Sequence, residues 1–473
     1  MTSANRRLAM LHHHLERDEN QVLTPEFPSL IHSVGSNRIL RVSKSQLTLV
    51  STLSTTQAIC SRRLTQQKPH SLLMIPGPIE YSDAVLHEMS TPPLAHTGLE
   101  FIDIFSQVLS KLRLLFGNSK SENGGQPLVI SGSGTLGWDF LGANLITNPS
   151  TDNVLCISTG FFSNSMYECL SSYVDNETSQ ITVLEAPVGE IVSLETIGQQ
   201  LLSKNYHLIT ITQTDTSTGV LLDVEKIAKL VHEVSPETLI AVDAVCSAGV
   251  EEIQFDNWGL DFVLSASQKA LSTPAGLSIM MVSQRGIDKA YLVSRKKPLY
   301  ASFNKWLPIM INYENKKPSY FATPSVQLIS ALNVSLTEIL GSESPEIDAK
   351  SKLPVALLGR FEAHKRAAAY VRETLVNSAT GLKTVAQDPN WCNGMTALYI
   401  PESIAVGDFL QYIQKTYDIS LAGGIHPKCA TTYFRVGHMG ISVTGENGKD
   451  LKRTVEAVLA TLEALKTSAS PTA

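Results

Sequence analysis

Residues 264–276 read Leu-Ser-Ala-Ser-Gln-Lys-Ala-Leu-Ser-Thr-Pro-Ala-Gly, and a single lysine, Lys269, lies between the apolar end of a strand and a Pro/Gly turn. A lysine that forms a Schiff base must be anchored on a rigid element and must lose its proton readily, as ammonium groups do when they are desolvated. Taken alone, a lysine after a strand is more commonly a solvated surface charge. The neighbouring motifs decide between the two interpretations.

A second motif precedes Lys269 by 26 residues, where Val242-Asp243-Ala244-Val245-Cys246-Ser247 follows an apolar run. An aspartate at the end of a buried strand either caps the following helix or faces a cation. A protonated pyridine nitrogen is one such cation, and a cationic ring accepts the electrons that are released when a Cα–H bond breaks. From this fragment alone, both roles of Asp243 stay open.

A third motif, Ile130-Ser131-Gly132-Ser133-Gly134-Thr135, lies between an apolar strand and a helix-like run. Small residues at such a turn let backbone N–H groups approach a phosphate, and the start of a helix favours negative charge. Gly/Ser turns are common, and the chain here lacks both the Walker and the dinucleotide-binding patterns. The order of a phosphate turn, an aspartate and a lysine, each at a strand end, is more specific than any one motif.

The hydrophobic pattern predicts an α/β protein. From about residue 72 to residue 280, short apolar runs alternate with amphipathic stretches, as in a mainly parallel sheet covered by helices on both faces. A plausible N-cap, Asp223, precedes a helical repeat that starts at Val224. The predicted strands are Pro127–Ile130, Asn153–Ile157, Leu208–Thr212, Leu239–Val242, Phe262–Ser265 and Leu277–Val282.

The same pattern divides the chain into three parts. Residues 1–70 are Ser/Thr-rich and resemble a leader or flexible arm, residues 71–342 form the predicted large domain, and residues 343–473 form a smaller α+β domain. The small domain is expected to open with a helix around Leu353–Val376 and to close with an amphipathic helix, Asp450–Leu465.

Charge and composition narrow the class of partner. Thirty-eight Lys and Arg against 44 Asp and Glu give a net charge of −6, which offers no basic field for a nucleic-acid backbone. No apolar run reaches the length of roughly 18 residues that a membrane-spanning helix needs. The six cysteines are scattered singly, as in a reduced intracellular protein. His12-His13-His14 lies in the polar leader and predicts no metal site.

The composition of the leader, residues 1–70, indicates the cellular compartment of the protein. Residues 27–79 contain no Asp or Glu and several Arg and Lys, a composition typical of transit peptides, although Glu16, Asp18, Glu19 and Glu26 precede it. We expect a mitochondrial protein, with the cytoplasm or the peroxisome as alternatives. The chain ends in Pro-Thr-Ala, so the Ser-Lys-Leu peroxisomal signal is not its ending.

Over residues 72–465 the sequence resembles the alanine–glyoxylate (serine–pyruvate) aminotransferases, class V enzymes of fold type I that depend on pyridoxal 5′-phosphate (PLP), and their fungal members most of all. The resemblance implies a large domain with a seven-stranded, mainly parallel sheet. The motifs that carry it, besides the three above, are Ile75-Pro76-Gly77-Pro78, Asp215-Thr216-Ser217-Thr218-Gly219 and Phe434-Arg435-Val436-Gly437-His438-Met439-Gly440.

The resemblance also implies a role for each matching residue. Lys269 would be the catalytic Schiff-base lysine, Asp243 the partner of the pyridine nitrogen, and Thr216 a hydrogen-bond partner of the ring hydroxyl. Arg435 would bind the substrate carboxylate with its planar guanidinium, and Gly77 would line the substrate pocket. The remaining predicted cofactor contacts are Val245 and Phe162 on the two ring faces, Ser133, Gly134, Thr135 and Gln268 at the phosphate, and Tyr320 and Thr323 at the phosphate of the neighbouring subunit.

The predicted activity is transfer of an amino group from alanine, or from serine, to glyoxylate, giving glycine and a keto acid in a homodimer. Two other enzymes with this fold are alternatives, a serine–pyruvate aminotransferase and a cysteine desulfurase. A non-catalytic protein that has kept the fold is a further alternative. A desulfurase needs a mobile nucleophilic cysteine, and Cys392 lies in a predicted loop, but the resemblance gives it no role. His438 follows Arg435 closely and either faces the pocket or packs beneath it.

Overall fold

The computed structural model describes residues 67–120, 124–293, 296–445 and 448–469. The strands in these ranges are β1 Leu72–Leu73, β2 Gln126–Ser131, β3 Val154–Ser158, β4 Ile181–Glu185, β5 Leu208–Thr212, β6 Thr214–Asp215, β7 Val220–Leu221, β8 Leu239–Asp243, β9 Phe262–Ala266, β10 Leu277–Val282, β11 Lys383–Thr384, β12 Met395–Tyr399, β13 Ile419–Ser420, β14 Ala422–Gly423 and β15 Tyr433–Gly437.

The helices in the same ranges are α1 Asp83–Met89, α2 Leu99–Phe116, α3 Leu136–Leu145, α4 Phe161–Ser171, α5 Glu177–Gln180, α6 Leu194–Ser203, α7 Val224–Val234, α8 Gln284–Ala290, α9 Phe303–Glu314, α10 Val326–Leu340, α11 Val355–Leu375, α12 Val406–Tyr417, α13 Ile441–Thr444 and α14 Lys449–Ala469. Among them, none is long and apolar enough to cross a membrane.

A central sheet carries the larger part of the fold. Within the described ranges it has seven strands in the order β2-β10-β9-β8-β5-β3-β4. The pairs β3/β4, β3/β5, β5/β8 and β8/β9 are parallel, and β10 is antiparallel to both of its neighbours. Strands β3, β5, β8, β9 and β10 are buried throughout, as expected for a sheet covered by helices on both faces. The predicted fold class is therefore confirmed.

The predicted strands agree with the structure to within one residue at each end. Strand β4 was not predicted, because it lies at the edge of the sheet and is only partly buried, so Ile181–Glu185 has no continuous apolar run. The N-cap is confirmed as well, since the Asp223 carboxylate accepts a hydrogen bond of 3.0 Å from the Lys226 N–H at the start of α7.

A second, smaller sheet has the order β11-β12-β15-β14, with its paired strands antiparallel. Helices α11 and α14 begin and end within four residues of their predicted bounds. Residues near the start of the described chain join this region, because β1 pairs with β13 and Leu72 and Met74 pack in the apolar cluster of α12 and α14. The domain boundaries at residues 70 and 342 remain predictions.

A buried ion pair ties two helices to β2. Arg113 on α2 donates to both carboxylate oxygens of Glu314 at the end of α9, at 2.6 and 3.0 Å, and the Gln126 amide donates to the same carboxylate at 3.1 Å. The side chains of Arg113 and Glu314 are both almost fully buried. Because β2 leads into the turn at Ser131, this pair fixes the strand that presents the predicted phosphate turn.

Replacing Glu314 with Ala should lower the free energy of unfolding by about 3–5 kcal/mol, since the Arg113 guanidinium would be left buried without its partner. The matched control is Asp103→Ala, which removes an exposed pair with Lys316 and should cost less than about 1 kcal/mol. Denaturant unfolding followed by circular dichroism measures both. Equal losses in the two variants would contradict the role given to the buried pair.

Candidate active site

The predicted functional residues meet at one edge of the central sheet. The turn after β2 carries Ser133, β8 ends at Asp243, and Lys269 follows the end of β9. These three strands run in the same direction, since β10 is antiparallel to both β2 and β9 and β8 is parallel to β9. Their carboxyl ends therefore share an edge, which is where open α/β sheets bind ligands.

The Lys269 side chain points at the loop that follows β1. Its Nζ donates a hydrogen bond of 2.7 Å to the Pro76 carbonyl. A Cβ atom placed on Gly77 would lie 2.6 Å from the same Nζ and 2.4 Å from Cδ, and Gly77 has a φ of +125°, which side-chain-bearing residues rarely adopt. The predicted position of Gly77 beside Lys269 thus has a steric reason: any larger residue would collide with the lysine.

Asp243 is buried and its carboxylate is held from two sides. The Trp138 indole N–H donates to Oδ2 at 2.8 Å, and the Val245 N–H donates to Oδ1 at 2.9 Å. Burial raises the pKa of Asp243 to about 6, an effect that these two hydrogen bonds and the charge of Lys269 only partly oppose. A carboxylate whose ionised form is this poorly solvated is stabilised by a nearby cation.

The turn after β2 lies against the same residues. A Cβ atom on Gly134 would lie 3.0 Å from Val245 Cγ2 and 3.2 Å from Ala266 Cβ, while the Ser133 and Thr135 hydroxyls are exposed and 2.6 Å apart. Helix α3 begins directly after Thr135. In the described part of the chain, no acceptor is bonded to the backbone N–H groups of Ser133, Gly134 or Thr135. The turn therefore combines free donors with a helix N-terminus.

Asp215 has a positioning role that the sequence argument did not find. Its fully buried carboxylate accepts hydrogen bonds from the N–H groups of Phe162 and Ser163 at 3.1 Å, and from the N–H and hydroxyl of Ser217 at 3.0 and 2.6 Å. One side chain thus fixes the start of α4, which carries Phe162, and the segment that carries Thr216. Trp138 is likewise not predicted from the sequence, because its indole meets Asp243 only in the folded chain, 105 residues further on.

Arg435 on β15 and Thr216, in the turn between β6 and β7, come together in the folded chain. Arg435 on β15 is buried and donates to the Gly423 carbonyl at 2.8 Å and to the Thr216 carbonyl at 3.2 Å. Within the described ranges it makes no ion pair with a carboxylate. The Cys246 thiol, which follows Val245, lies 3.9 Å from the Thr216 hydroxyl. A buried guanidinium beside the Lys269 pocket is suited to bind a carboxylate.

Two predicted residues are not brought to this site within the single chain. Tyr320 is 62% exposed and lies beside the His96 ring, with ring centroids 5.2 Å apart, and Thr323 is also exposed. Their predicted role at the phosphate of a neighbouring subunit requires a second chain, so it stays a prediction.

His438 and Cys392 lie outside the pocket. The His438 ring is fully buried, with Nδ1 3.1 Å from the Asn393 carbonyl and Nε2 2.9 Å from the Thr396 hydroxyl, and burial lowers its pKa to about 3. His438 therefore packs beneath Arg435. The Cys392 thiol is buried and donates to the Met395 carbonyl, and burial raises its pKa to about 12. Such a thiol is neither mobile nor nucleophilic.

The pocket fits the cofactor that the sequence predicts. Asp243 offers a carboxylate to a ring cation, the turn at Ser133 offers N–H donors to a phosphate, and Lys269 offers an amine between them. The Gln268 amide oxygen adds a buried acceptor that has no partner among the described residues. In the same ranges, no cluster of His, Cys, Asp or Glu could hold a metal ion.

Comparisons with known proteins agree with this geometry. The family model "Aminotransferase class-V" matches residues 95–353. Alanine–glyoxylate aminotransferase 1 from Saccharomyces cerevisiae is 40% identical over 401 residues, 83% of this chain and 98% of the yeast protein. Serine–glyoxylate aminotransferase from Arabidopsis thaliana is 26% identical over 78% of this chain and 85% of its own.

The fold has relatives among solved structures. The crystal structure of an alanine–glyoxylate aminotransferase from Nostoc sp. superposes with a TM-score of 0.72 at 26% identity, covering 84% of this chain and 96% of the Nostoc chain. With a family model that spans more than half of the sequence and a yeast relative that is matched almost end to end, the chain belongs to the class V aminotransferases. It is an aminotransferase, and the family it belongs to depends on PLP.

The raised pKa of Asp243 predicts a pH dependence for the PLP-free protein. Between about pH 4 and pH 6 the unfolded chain releases a proton that the folded chain keeps, so the free energy of unfolding should fall as pH rises, by about 3 kcal/mol in all. Asp243→Asn should remove this loss. Denaturant midpoints at pH 4.5 and pH 7 give the difference between variant and wild type.

The control for this measurement is Asp103→Asn. The hydrogen bond from Lys316 holds the pKa of Asp103 below its ordinary value, so that carboxyl is already ionised across the range tested. Its replacement should leave the pH dependence of stability as in the wild type. A wild-type pH dependence in Asp243→Asn would contradict the assigned environment of Asp243.

Proposed function

We propose that this aminotransferase uses PLP to transfer the amino group of a small amino acid, alanine or serine, to glyoxylate, with glycine and a keto acid as products. The observation that carries the proposal is the buried Arg435 guanidinium, which is bonded to the Thr216 carbonyl and has no carboxylate partner in the described ranges. The likeness to alanine–glyoxylate aminotransferase 1 of yeast supports the choice of donor and acceptor.

The size of the substrate follows from the pocket. The planar Arg435 guanidinium can bind one carboxylate in a bidentate manner. Gly77 leaves the backbone beside Lys269 without a side chain. Alanine and serine each present one carboxylate and a side chain of at most two heavy atoms, and glyoxylate presents one carboxylate and no side chain. A phosphorylated or dicarboxylic substrate would need a second cationic group, which supports a small substrate over the substrate of a phosphoserine aminotransferase.

The residues divide the chemistry between them. When bound, PLP supplies a conjugated cationic ring that takes up the electrons released from the substrate Cα. Asp243 would keep the ring nitrogen protonated, Phe162 and Val245 would pack against the ring faces, and Arg435 would orient the substrate so that its Cα–H bond faces Lys269. The Lys269 amine then removes the Cα proton as a general base and returns a proton as a general acid.

The release of Lys269 has a defined acceptor in the pocket. In the protein alone its Nζ donates to the Pro76 carbonyl at 2.7 Å. Whenever the amine is not joined to the cofactor, this carbonyl would hold it within reach of the substrate. A second half-reaction with glyoxylate follows the same steps in reverse, which predicts ping-pong kinetics.

Specific features of the site argue against a cysteine desulfurase and against a non-catalytic homologue. A cysteine desulfurase needs a mobile thiolate, whereas the Cys392 thiol is buried, hydrogen-bonded and has its pKa raised to about 12. An assay for sulfide release from cysteine discriminates the two. A non-catalytic homologue has no need for a buried Asp243, an amine at Lys269 and an unpaired Arg435 in one pocket, and visible absorbance that shifts when alanine is added would exclude it.

We also propose a homodimer with shared sites. Tyr320 and Thr323 are exposed in the single chain, and an aromatic ring that is 62% exposed beside a functional edge is suited to contact a partner. Co-expressing Lys269→Ala with Tyr320→Ala tests the sharing, because mixed dimers contain one wild-type site and should recover activity that neither variant has alone.

We further propose that residues 1–70 direct import into mitochondria. The stretch 27–79, which contains no Asp or Glu, supports this proposal. Import assays with and without residues 1–70 test it.

Lys269→Ala should abolish both the visible absorbance of bound PLP and transamination, because the Lys269 amine is the group proposed to form the linkage and to move the Cα proton. Spectra and coupled assays with alanine and glyoxylate measure the two losses. Lys226→Ala, at an exposed helix start, is the control and should match the wild type. Turnover in Lys269→Ala at the wild-type rate would overturn the proposed function.

Arg435→Lys should lower kcat/KM for alanine by at least about 30-fold, or about 2 kcal/mol, since lysine keeps the charge but loses the fork that binds a carboxylate. The same preparation should bind PLP with unchanged affinity, which separates substrate binding from damage to the site. Arg453→Lys, on the exposed face of α14, serves as the control. A matrix of amino donors and keto acceptors measured on the wild type establishes the preferred pair.

A further inference from the structure

A groove of about 730 Å³ lies between α10, α11, α13 and α14, away from the residues assigned to PLP and substrate. Its volume is within the range of about 300–1,000 Å³ that is usual for small-molecule pockets. The lining is mixed: it includes the aliphatic side chains of Ile339, Val443 and Leu451 and three cationic side chains, those of Arg360, Arg366 and Lys452. The groove therefore combines apolar surface with positive charge.

Arg360 lies at the inner end of this groove. Its Nε donates to the Gly249 carbonyl and its Nη2 to the Ala270 carbonyl, both at 2.9 Å, and in the described ranges it forms no ion pair with a carboxylate. Two carbonyl dipoles leave other guanidinium N–H groups available and leave the charge uncompensated. The one acidic residue in the lining is Glu338, which already accepts a hydrogen bond of 2.8 Å from Ser82.

The rim of the groove adds further positive charge. Arg366 and Lys452 are exposed, on α11 and α14 respectively. Against the single carboxylate of Glu338, the three cationic groups leave an excess of positive charge. A negatively charged ligand would be attracted, and its charged end would be held best by the partly buried Arg360 guanidinium, where solvent screens less than at the exposed rim.

Gly359 keeps one wall of the groove free of side chains. It lies inside α11, where glycine is the least favoured residue after proline, yet its φ is not in the left-handed region and a Cβ atom there would meet no atom within 4 Å. Neither backbone conformation nor packing explains this glycine. The open space beside it is the groove, and alanines at positions 356 and 363 keep the same helix face small on either side.

We propose that the groove binds a small molecule with an apolar body and one terminal anionic group, a carboxylate or a phosphate. The apolar body lies along the small face of α11 at Gly359, and the anionic group pairs with Arg360. Since Arg360 also holds the carbonyl of Ala270, the residue after Lys269, an occupant of the groove contacts a side chain that braces the backbone of the catalytic lysine. The site is separate from the proposed transamination and does not depend on it.

Titration calorimetry on the full chain tests this site with three probes, octanoate, octyl phosphate and inorganic phosphate. Saturable binding of octanoate or octyl phosphate, at one molecule per chain, is expected, and the tighter of the two identifies the preferred anionic group. Inorganic phosphate should bind at least about tenfold more weakly, because it lacks the apolar body. Equal affinity for phosphate and octyl phosphate would overturn the proposal, as would the lack of saturable binding by both octyl compounds.

Variants connect the binding to the groove. Gly359→Phe, which fills the groove, and the double variant Arg366→Glu/Lys452→Glu, which reverses the rim charge, should each weaken binding at least about tenfold. Lys229→Glu, an equally exposed lysine on α7, is the matched control and should bind as the wild type does. The double variant changes only exposed side chains, so the test stands if Gly359→Phe destabilises the chain. Wild-type affinity in the double variant would overturn the assignment.

Discussion

The buried carboxylate of Asp215 is the contact on which the arrangement of the site depends. It holds N–H groups in the first turn of α4 on one side and Ser217 on the other, so Phe162, which we propose stacks on the cofactor ring, and the segment of Thr216 are fixed by one group. That segment in turn accepts hydrogen bonds from the second sheet, from Arg435 at the Thr216 carbonyl and from Tyr433 at the Ser217 carbonyl. Cofactor-binding and substrate-binding elements are thus attached to a single short stretch of backbone.

Desolvation sets the electrostatics around this frame. Asp243 is held by two hydrogen bonds, but burial raises its pKa to about 6. Arg435 is bonded to carbonyl groups and has no carboxylate beside it in the described ranges, and burial lowers its pKa. Each group is therefore incompletely compensated within the described protein. Such groups cost stability and are retained where a ligand of opposite charge completes them. The two charges differ in sign, which matches a ring cation at one end and a substrate carboxylate at the other.

Much of this could be predicted from the sequence, and the limits have physical causes. Buried strands of a parallel sheet are continuous apolar runs, so β5, β8, β9 and β10 and the residues at their ends were found, whereas the half-exposed edge strand β4 was not. Lys269, Asp243 and the turn at Ser133 follow strands directly and could be placed by order along the chain. Asp215 and Trp138 act through contacts between segments that are distant in the sequence, and no local sequence pattern predicts such contacts. The roles of Tyr320 and Thr323 depend on a second chain, which one chain cannot test.

The loop that precedes α1 meets residues from the far end of the chain. The Met74 carbonyl accepts a hydrogen bond of 2.7 Å from the Gly437 N–H, the Ile79 N–H donates to the Gln268 carbonyl, and β1 pairs with β13. The pocket wall that faces Lys269 is therefore held in place by β13 and β15, which are synthesised late. A nascent chain that already contains every proposed cofactor-binding residue still lacks this wall until about residue 437 has emerged. The anchoring of this wall and the proposed carboxylate-binding residue Arg435 therefore both depend on the same late-synthesised strand, β15.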